Sequence, residues 1–442
     1  MRFLLVQVPT SHLGVGERVY PLGLARLSGL ITEGHDKQAL DMNRSLDPWQ
    51  DLKERLLTFR PDRVLLSFRN IDPLAGQQTS YLASLKTAAR MSRLLVPDAR
   101  IWAGGPAFSL FPERLMTEIP EIDVGLVGEG ERALPQMTAG GGSVPGTLWR
   151  EGGKIRRSPA GAPVDMNALP PPDTAAFSPA DYLEGNRYVA VMGIEGKRGC
   201  DLSCAYCVYP GLGGRRMRLR DPERIVDEME TLHRGFGVEW FHFTDGVVNR
   251  PADHFEAVCG ALVRRRLKVR WTGFFREDTL TAAQLDSALR AGLGAVYFSG
   301  DSLTDHGRRL LNKRLDRMDI LRAARITAAC RVLTMCHFLV NLPGEFPSHG
   351  AEARESLDRI LEIHAPAGNL GAVILGTVRL YPDAPLTRRL VGEKMLDPRT
   401  DLLYPVYHNP TATAHVLHEL SVRCQTAGVF SHLNISDPSE AS

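Results

Sequence analysis

Short apolar runs that alternate with amphipathic stretches fill most of this chain, and they do so in two separate blocks. Between residues 1 and 140 the runs RFLLVQV, KQALDM, RVLLSF, ARIWAGG and IDVGLVG are separated by segments such as PLGLARLSGLI and SYLASLKTAARMSRLL, whose apolar residues recur at helical spacing. Parallel strands joined by crossover helices must be covered on both faces, so this block reads as an α/β, doubly wound, Rossmann-like sheet. Ligands of such sheets sit beyond the carboxyl ends of the strands. The second block spans 187–385, where YVAVMGIE, VEWFHFTD, KVRWTGFF, GAVYFSG, VLTMCHFLV and AVILGTVRLYP give six strands with helices between them. Six such units predict a partial (β/α)6 barrel, with its chemistry at the C-terminal strand ends.

Residues 141–186 break the pattern with a Gly- and Pro-rich stretch, read as a linker that holds a small hairpin. Residues 386–442 form a weakly patterned C-terminal region, expected to close the barrel or carry substrate contacts. A chain of 442 residues is long enough for two or three such domains. Fifty-three basic residues against fifty-one acidic ones leave a formal charge of +2, which gives no electrostatic case for nucleic acid or an anionic membrane. The opening MRFLLVQVP is too short for a membrane span and has no small-residue cleavage site, so a cytoplasmic protein is expected. Thiols stay reduced there, and clustered cysteines point to metal or redox chemistry rather than to disulfides.

Three of the seven cysteines fall in GKRGCDLSCAYCVYP, residues 196–210, with the spacing C-x3-C-x2-C. Cys259, Cys330, Cys336 and Cys424 are scattered and read as buried small hydrophobes. A structural zinc site takes four N or S ligands, usually as two pairs, and no second pair is present. Three thiolates can instead hold three irons of a [4Fe–4S] cube and leave the fourth iron open to a substrate or cofactor. The trio follows the first strand of the second block, where a barrel keeps its chemistry.

With Tyr206 just before the last cysteine, this stretch resembles the signature of the radical S-adenosylmethionine (SAM) superfamily. The resemblance implies that Cys200, Cys204 and Cys207 carry a [4Fe–4S] cluster, that SAM chelates its open iron, and that an electron donor of flavodoxin or ferredoxin type reduces it. It extends along the barrel. FHFTDG puts Thr244 and Asp245 where family members hold the methionyl amine, and FFREDTL offers Arg276 for the SAM carboxylate. FSGDSLTD sets Gly300, Asp301 and Ser302 at the ribose, with Asp301 where glutamate is commoner. HFLVNLPGE brings Asn341 and Leu342 near adenine, and VRLYPDAPL, with Tyr381, resembles the family's YPGTPL. DPERIVDEM is a contrast, explained fully as a helix start by Asp221 as N-cap and Pro222 as first helical residue.

The first block resembles the cobalamin-binding domain that a large radical SAM subgroup carries upstream of its barrel, through YPLGLARLSGLI, WAGGPAFSLFPE and VGEGE. Gly104, Gly105, Gly128 and Gly130, with Glu129 between them, would then border the corrin, glycine allowing close backbone approach. The cobalt-ligating histidine of such domains comes from D-x-H-x-x-G; TSHLGVG departs at Thr10 and Val15, so His12 reads as an ordinary loop histidine. LLSFRNID, with Arg69, resembles the thiopeptide tryptophan C2-methyltransferases, in which an arginine lies under cobalt without coordinating it. Together the resemblances imply a cobalamin-dependent radical SAM methyltransferase that acts on a carbon of a small metabolite in natural-product biosynthesis. Two alternatives stand beside it: a radical SAM enzyme that performs a rearrangement, a ring contraction or another fragment transfer on a cobalamin-like scaffold, and a non-catalytic Fe–S redox sensor.

Overall fold

The computed structural model describes residues 1–10, 17–32, 34–73, 79–140, 143–184 and 191–434, so His12 lies outside the described residues. The first sheet contains β1 (Arg2–Gln7), β2 (Asp36–Asp41), β3 (Arg63–Ser67), β4 (Arg100–Gly104), β5 (Val124–Leu126), β6 (Thr147–Glu151) and β7 (Lys154–Arg157), in the order β2-β1-β3-β4-β5-β6-β7. The first five pair in parallel, Leu5 lying between Ala39 and Leu65. Phe3, Leu4, Leu5 and Val6 are successive and all fully buried, as a strand covered on both faces requires. The order reverses between β1 and β3, and the crevice at such a reversal is where doubly wound sheets bind ligands.

The Gly- and Pro-rich stretch expected as a linker does more than connect. Its hairpin, β6 and β7, adds antiparallel to β5 and turns the parallel sheet into a mixed one. Gly152 and Gly153 occupy the two-residue turn, both at positive φ, the backbone that a tight hairpin of right-handed twist demands.

The second sheet begins with β8 (Gly193–Ile194), followed by a small ribbon of β9 (Lys197–Arg198) and β10 (Arg218–Leu219). It continues through β11 (Trp240–Phe243), β12 (Arg270–Phe275), β13 (Leu293–Asp301), β14 (Leu333–Leu339) and β15 (Leu370–Gly376). A second ribbon, β16 (Val378–Arg379) with β17 (Tyr407–His408), precedes β18 (Phe430–Asn434). The large sheet runs β8-β11-β12-β13-β14-β15-β18, all parallel, so the C-terminal region supplies a seventh strand beside β15. Side chains alternate across it. Phe241, Phe243, Phe275, Val296, Phe298, Phe338 and Val373 point outward into the helical layer and are buried, whereas His242, Phe274, Ser299, His337, Leu339 and Ile374 point inward and keep partial solvent access. The barrel therefore has a lumen that water reaches.

Ion pairs, the deepest of them fully buried, fix the two sheets against each other. Arg26, on the helix Leu22–Gly29, is fully buried; its Nη2 donates to both oxygens of Glu228 at 2.9 and 3.1 Å and its Nη1 to the Pro170 carbonyl at 2.6 Å. Glu228 also accepts from Arg220 at 2.6 Å. Arg198 reaches Glu131 at 2.6 Å, and Arg218 reaches Glu129 through Nη1 at 2.9 Å. Further along, Arg379 Nε donates to Asp72 at 2.9 Å, tying the end of β3 to the segment after β15. Removing one member of a buried pair strands the other, at about 3 to 5 kcal/mol, whereas an exposed pair contributes about 1 kcal/mol or less. Arg26→Met is accordingly expected to lower stability in chemical denaturation by about 3 kcal/mol, and Arg114→Ala, which removes the half-exposed pair to Asp401, by less than about 1 kcal/mol.

Candidate active site

The cysteine loop leaves β9 through Gly199, whose φ of +88° belongs to glycine and whose added Cβ would strike the Arg216 carbonyl. From there the loop is pinned at several points: Cys200 N donates to Gly214 O at 3.0 Å, Ala205 N to Leu311 O at 2.8 Å, and Leu386 N to Ala205 O at 2.9 Å. Cys204 feels the charge of Cys200, and Cys207 feels that of both Cys204 and Cys200, so the three lie close together. Burial pushes the Cys204 thiol up, although Lys313 opposes it, and takes Cys207 up to about 11 despite a backbone N–H from Tyr209 to its Sγ at 3.4 Å. These thiols are protonated without metal, and binding iron displaces the protons. Among the described residues no three His, Cys, Asp or Glu side chains surround a single metal-ion position; a cube instead gives each thiolate its own iron.

Asp301 is the hub beneath this loop. It ends β13 at a φ of +61°, next to an irregularity in the pairing with β14. Tyr206 Oη donates to its Oδ2 at 2.6 Å, Lys313 Nζ stands 2.7 Å from the same oxygen, and Ser299 Oγ donates to Oδ1 at 2.6 Å. The residue expected at the SAM ribose is thus already engaged by the protein, and it couples the aromatic residue of the cysteine motif to the barrel. Burial next to Asp301 drives the Tyr206 hydroxyl well above its ordinary range, so it serves as a donor. Lys313, unassigned in the sequence reading though it lies in the RRLLNKR stretch, is held protonated by Asp301.

Arg276 is buried and nearly satisfied: Nε donates to Asp278 at 3.0 Å, and Nη2 to the carbonyls of Lys313 and Arg314 at 2.8 and 3.1 Å. Its Nη1 is buried without a partner among the described residues. An orphaned guanidinium N–H fits the carboxylate of SAM, an acceptor it can bind with charge assistance.

Asp245 differs from the sequence expectation. It points outward from the end of β11; its Oδ1 accepts from the backbone N–H groups of Gly196 and Lys197 at 2.8 and 3.1 Å, and Oδ2 lies 3.5 Å from Lys197 Nζ. It is 3% exposed and anchors the entry to the cysteine loop, while its neighbour Thr244 stands exposed at the barrel mouth. The missed cue was alternation: with Phe241 and Phe243 outward, Thr244 faces in and Asp245 faces out. Ser302 is fully buried and accepts from Thr304 N at 3.1 Å, making a turn rather than a ribose contact. A Cβ on Gly300 would meet Phe338 at 3.0 Å, so this glycine serves packing. Asn341, at a φ of +58°, donates to Asn409 at 2.7 Å, and Leu342 N donates to Glu345 at 2.8 Å. Tyr381 has the Arg379 guanidinium over its ring at 4.7 Å, on the interdomain side of the mouth.

At the opposite face, Gly105 has a φ of +106°, and a Cβ there would lie 2.6 Å from the Phe68 carbonyl; Gly104 abuts Leu126 and Gly130 abuts Leu27. These three glycines answer contacts inside the protein. Gly128 is the one whose Cβ position is open, at a φ of +78°, so it leaves a backbone surface for a bulky ligand. Glu129 does not border that surface: Arg218 holds it, Val164 N donates to it at 2.7 Å, and these hydrogen bonds with the Arg198 charge keep its carboxyl low against burial. Arg69 pairs with Glu17 at 2.5 Å, and its Nε is buried without a partner among the described residues.

Residues 13–138 match the family model of the B12 binding domain, and residues 194–357 match that of the radical SAM superfamily. The chain is a radical SAM enzyme with a B12-binding domain. Such an enzyme takes a [4Fe–4S] cluster, SAM and cobalamin, and the three-thiol loop, the orphaned Arg276 donor and the open surface at Gly128 fit them in turn. An uncharacterised methyltransferase of Pyrococcus horikoshii is 24% identical over 358 residues, 78% of this chain and 75% of that protein. The anaerobic magnesium-protoporphyrin IX monomethyl ester cyclase of Rubrivivax gelatinosus is 23% identical over 368 residues, 78% of this chain but 63% of the cyclase. TsrM from Kitasatospora setae, a radical SAM methyltransferase solved with cobalamin and a [4Fe–4S] cluster, superposes with a TM-score of 0.76 over 95% of this chain and 84% of its own, at 22% identity, which shows the shared fold.

Two outcomes test this radical SAM site. Arg276→Ala should weaken SAM binding by about 1.5 to 3 kcal/mol in equilibrium titration, whereas Asp245→Asn should act on stability and leave SAM affinity nearly unchanged. Glu277, beside Arg276, is buried with Oε1 unpartnered, and burial takes its carboxyl from 4.5 up to about 7. Its contribution to stability is full below its unfolded pKa and is lost as pH rises through 7, a change of about 3 kcal/mol. Denaturation of Glu277→Gln between pH 4.5 and 8 should show a flatter pH dependence than the wild type, with Asp245, shifted the same way, leaving a residual slope.

Proposed function

We propose that this enzyme moves a methyl group from SAM, by way of cobalamin, to a carbon of a small molecule held in the barrel lumen. The observation that carries the reading is the Asp72–Arg379 pair, which turns the strand ends of the B12-binding sheet toward the mouth where the cysteine loop lies. When bound, cobalamin supplies a methyl carrier and the cluster supplies electrons. The protein's own groups do the rest. Arg276 Nη1 is a donor for the SAM carboxylate, and the Tyr206–Asp301–Lys313 hub keeps the cysteine loop in register with it. Arg69 lies just beyond β3, and a guanidinium has no free lone pair to offer a metal, so it could border cobalamin without ligating its cobalt.

The domain division follows the chemistry: residues 1–140 for cobalamin, 141–186 as connection and edge hairpin, 187–385 for cluster and SAM, and 386–442 for closing the substrate side. We place the enzyme in the cytoplasm with a flavodoxin- or ferredoxin-type donor, in keeping with its free thiols; among the described residues no helix is long and apolar enough to cross a membrane. The methyltransferase name of the Pyrococcus horikoshii relative and the tryptophan bound in a TsrM structure support methyl transfer to a small molecule. The relationship to a cyclase favours a second reading, a rearrangement or ring-forming reaction on the same scaffold. Anaerobic, reconstituted enzyme incubated with methyl-labelled SAM and a metabolite library should yield a labelled product heavier by one CH2. SAM consumption with an unlabelled, rearranged product would favour the second reading, and no SAM consumption would contradict both.

A further inference from the structure

The inner face of the barrel carries a polar group that neither the cluster nor the SAM contacts employ. His337 points into the lumen from β14, one layer below Asp301. Among the described residues neither of its ring nitrogens has a hydrogen-bond partner, and its partial solvent access is to the lumen. Neighbouring polar side chains are engaged: Ser299 with Asp301, and His242 through Nδ1 with Thr272 Oγ1 at 2.8 Å. Around it the wall is aromatic. Phe274 meets His337 edge-on with centroids 5.7 Å apart, meets Tyr297 at 5.6 Å, and His242 stacks on Tyr297 at 5.6 Å. Ala295, Met335 and Ala372 form an apolar floor beneath.

We infer that His337 determines substrate choice by hydrogen-bonding the N–H or O–H of a neutral planar ring laid against the Phe274 wall. The inference rests on the proposal that the lumen holds the methyl acceptor. The wall suits the face or edge of a ring, and the floor disfavours charge, which would lose its hydration without gaining a counter-ion. Burial lowers the imidazole pKa, so the ring stays neutral and offers one acceptor and one donor. A substrate site built around a hydrogen bond rejects the analogue that lacks it, because its buried partner is then left unpaired.

The test is equilibrium binding of indole and phenol, against 1-methylindole and anisole, to the full-length enzyme reconstituted with its cofactors. The wild type should bind the N–H and O–H rings at least about tenfold tighter than their methylated counterparts. His337→Phe, which keeps a ring of similar size, should erase that preference, and His337→Gln, which keeps an amide acceptor, should restore part of it, with SAM affinity unchanged in both. No preference in the wild type, a preference that survives His337→Phe, or loss of SAM binding in both variants would each overturn the assignment. Methyl transfer is not read in this experiment, so its failure elsewhere would count against the proposed function and leave these binding results to stand alone.

Discussion

A buried carboxylate and guanidinium hold the two halves of this protein in the relation its chemistry needs. Asp72 follows β3 of the B12-binding sheet and Arg379 follows β15 of the barrel, 307 residues apart in sequence and both nearly inaccessible to water. Burial pushes the Asp72 carboxyl up and the neighbouring guanidinium opposes this, so each ion is tolerated because the other is present. Such a pair adds little net stability compared with apolar packing. It fixes geometry: two sheets whose ligand-binding ends could face anywhere are made to face each other, and the Arg26–Glu228 pair closes the same interface farther back.

Within the barrel, one alternation separates scaffold from site. Outward positions are filled by Phe, Val and Leu under the helices, and the ionisable groups that fall on that side, Asp245 and Glu277, are buried. Inward positions carry His242, Phe274, Ser299, His337 and, at the rim, Arg276 and Asp301. The rim is pre-organised by the protein itself, because Asp301 is gripped by Tyr206, Lys313 and Ser299. A ribose hydroxyl reaching Asp301 would join a network already in place, in which the cysteine motif and β13 move as one.

Much of this was legible in the sequence where the signal is local. The strand and helix rhythm located β1 to β5 of the first sheet and β8 and β11 to β15 of the second, but not β18 in the weakly patterned C-terminal region, and the cysteine spacing pointed to the cluster loop, because these patterns sit within a few residues. Arg276 was singled out by its resemblance to the family's arginine at the end of this strand, and the structure places it there buried, with Nη1 unpartnered among the described residues. What failed was set by distant partners. Glu129 sits in a glycine-rich turn that suggests a ligand, yet its carboxylate is taken by Arg218, 89 residues on. Asp245 looked like a rim acid until the outward register of Phe241 and Phe243 was counted, and Lys197, which meets it, gave no pattern of its own. A small hairpin in the Gly- and Pro-rich stretch was expected, but its pairing with β5 depends on an open sheet edge that no local motif encodes.

On this structure, cobalamin on one sheet and the cluster on the other are expected to share a single chamber. Electron paramagnetic resonance of enzyme loaded with cob(II)alamin and reduced to leave the cluster paramagnetic tests this directly. Magnetic coupling between the two centres is expected, seen as broadening or splitting absent when either is loaded alone. A spectrum equal to the sum of the two isolated signals would contradict it.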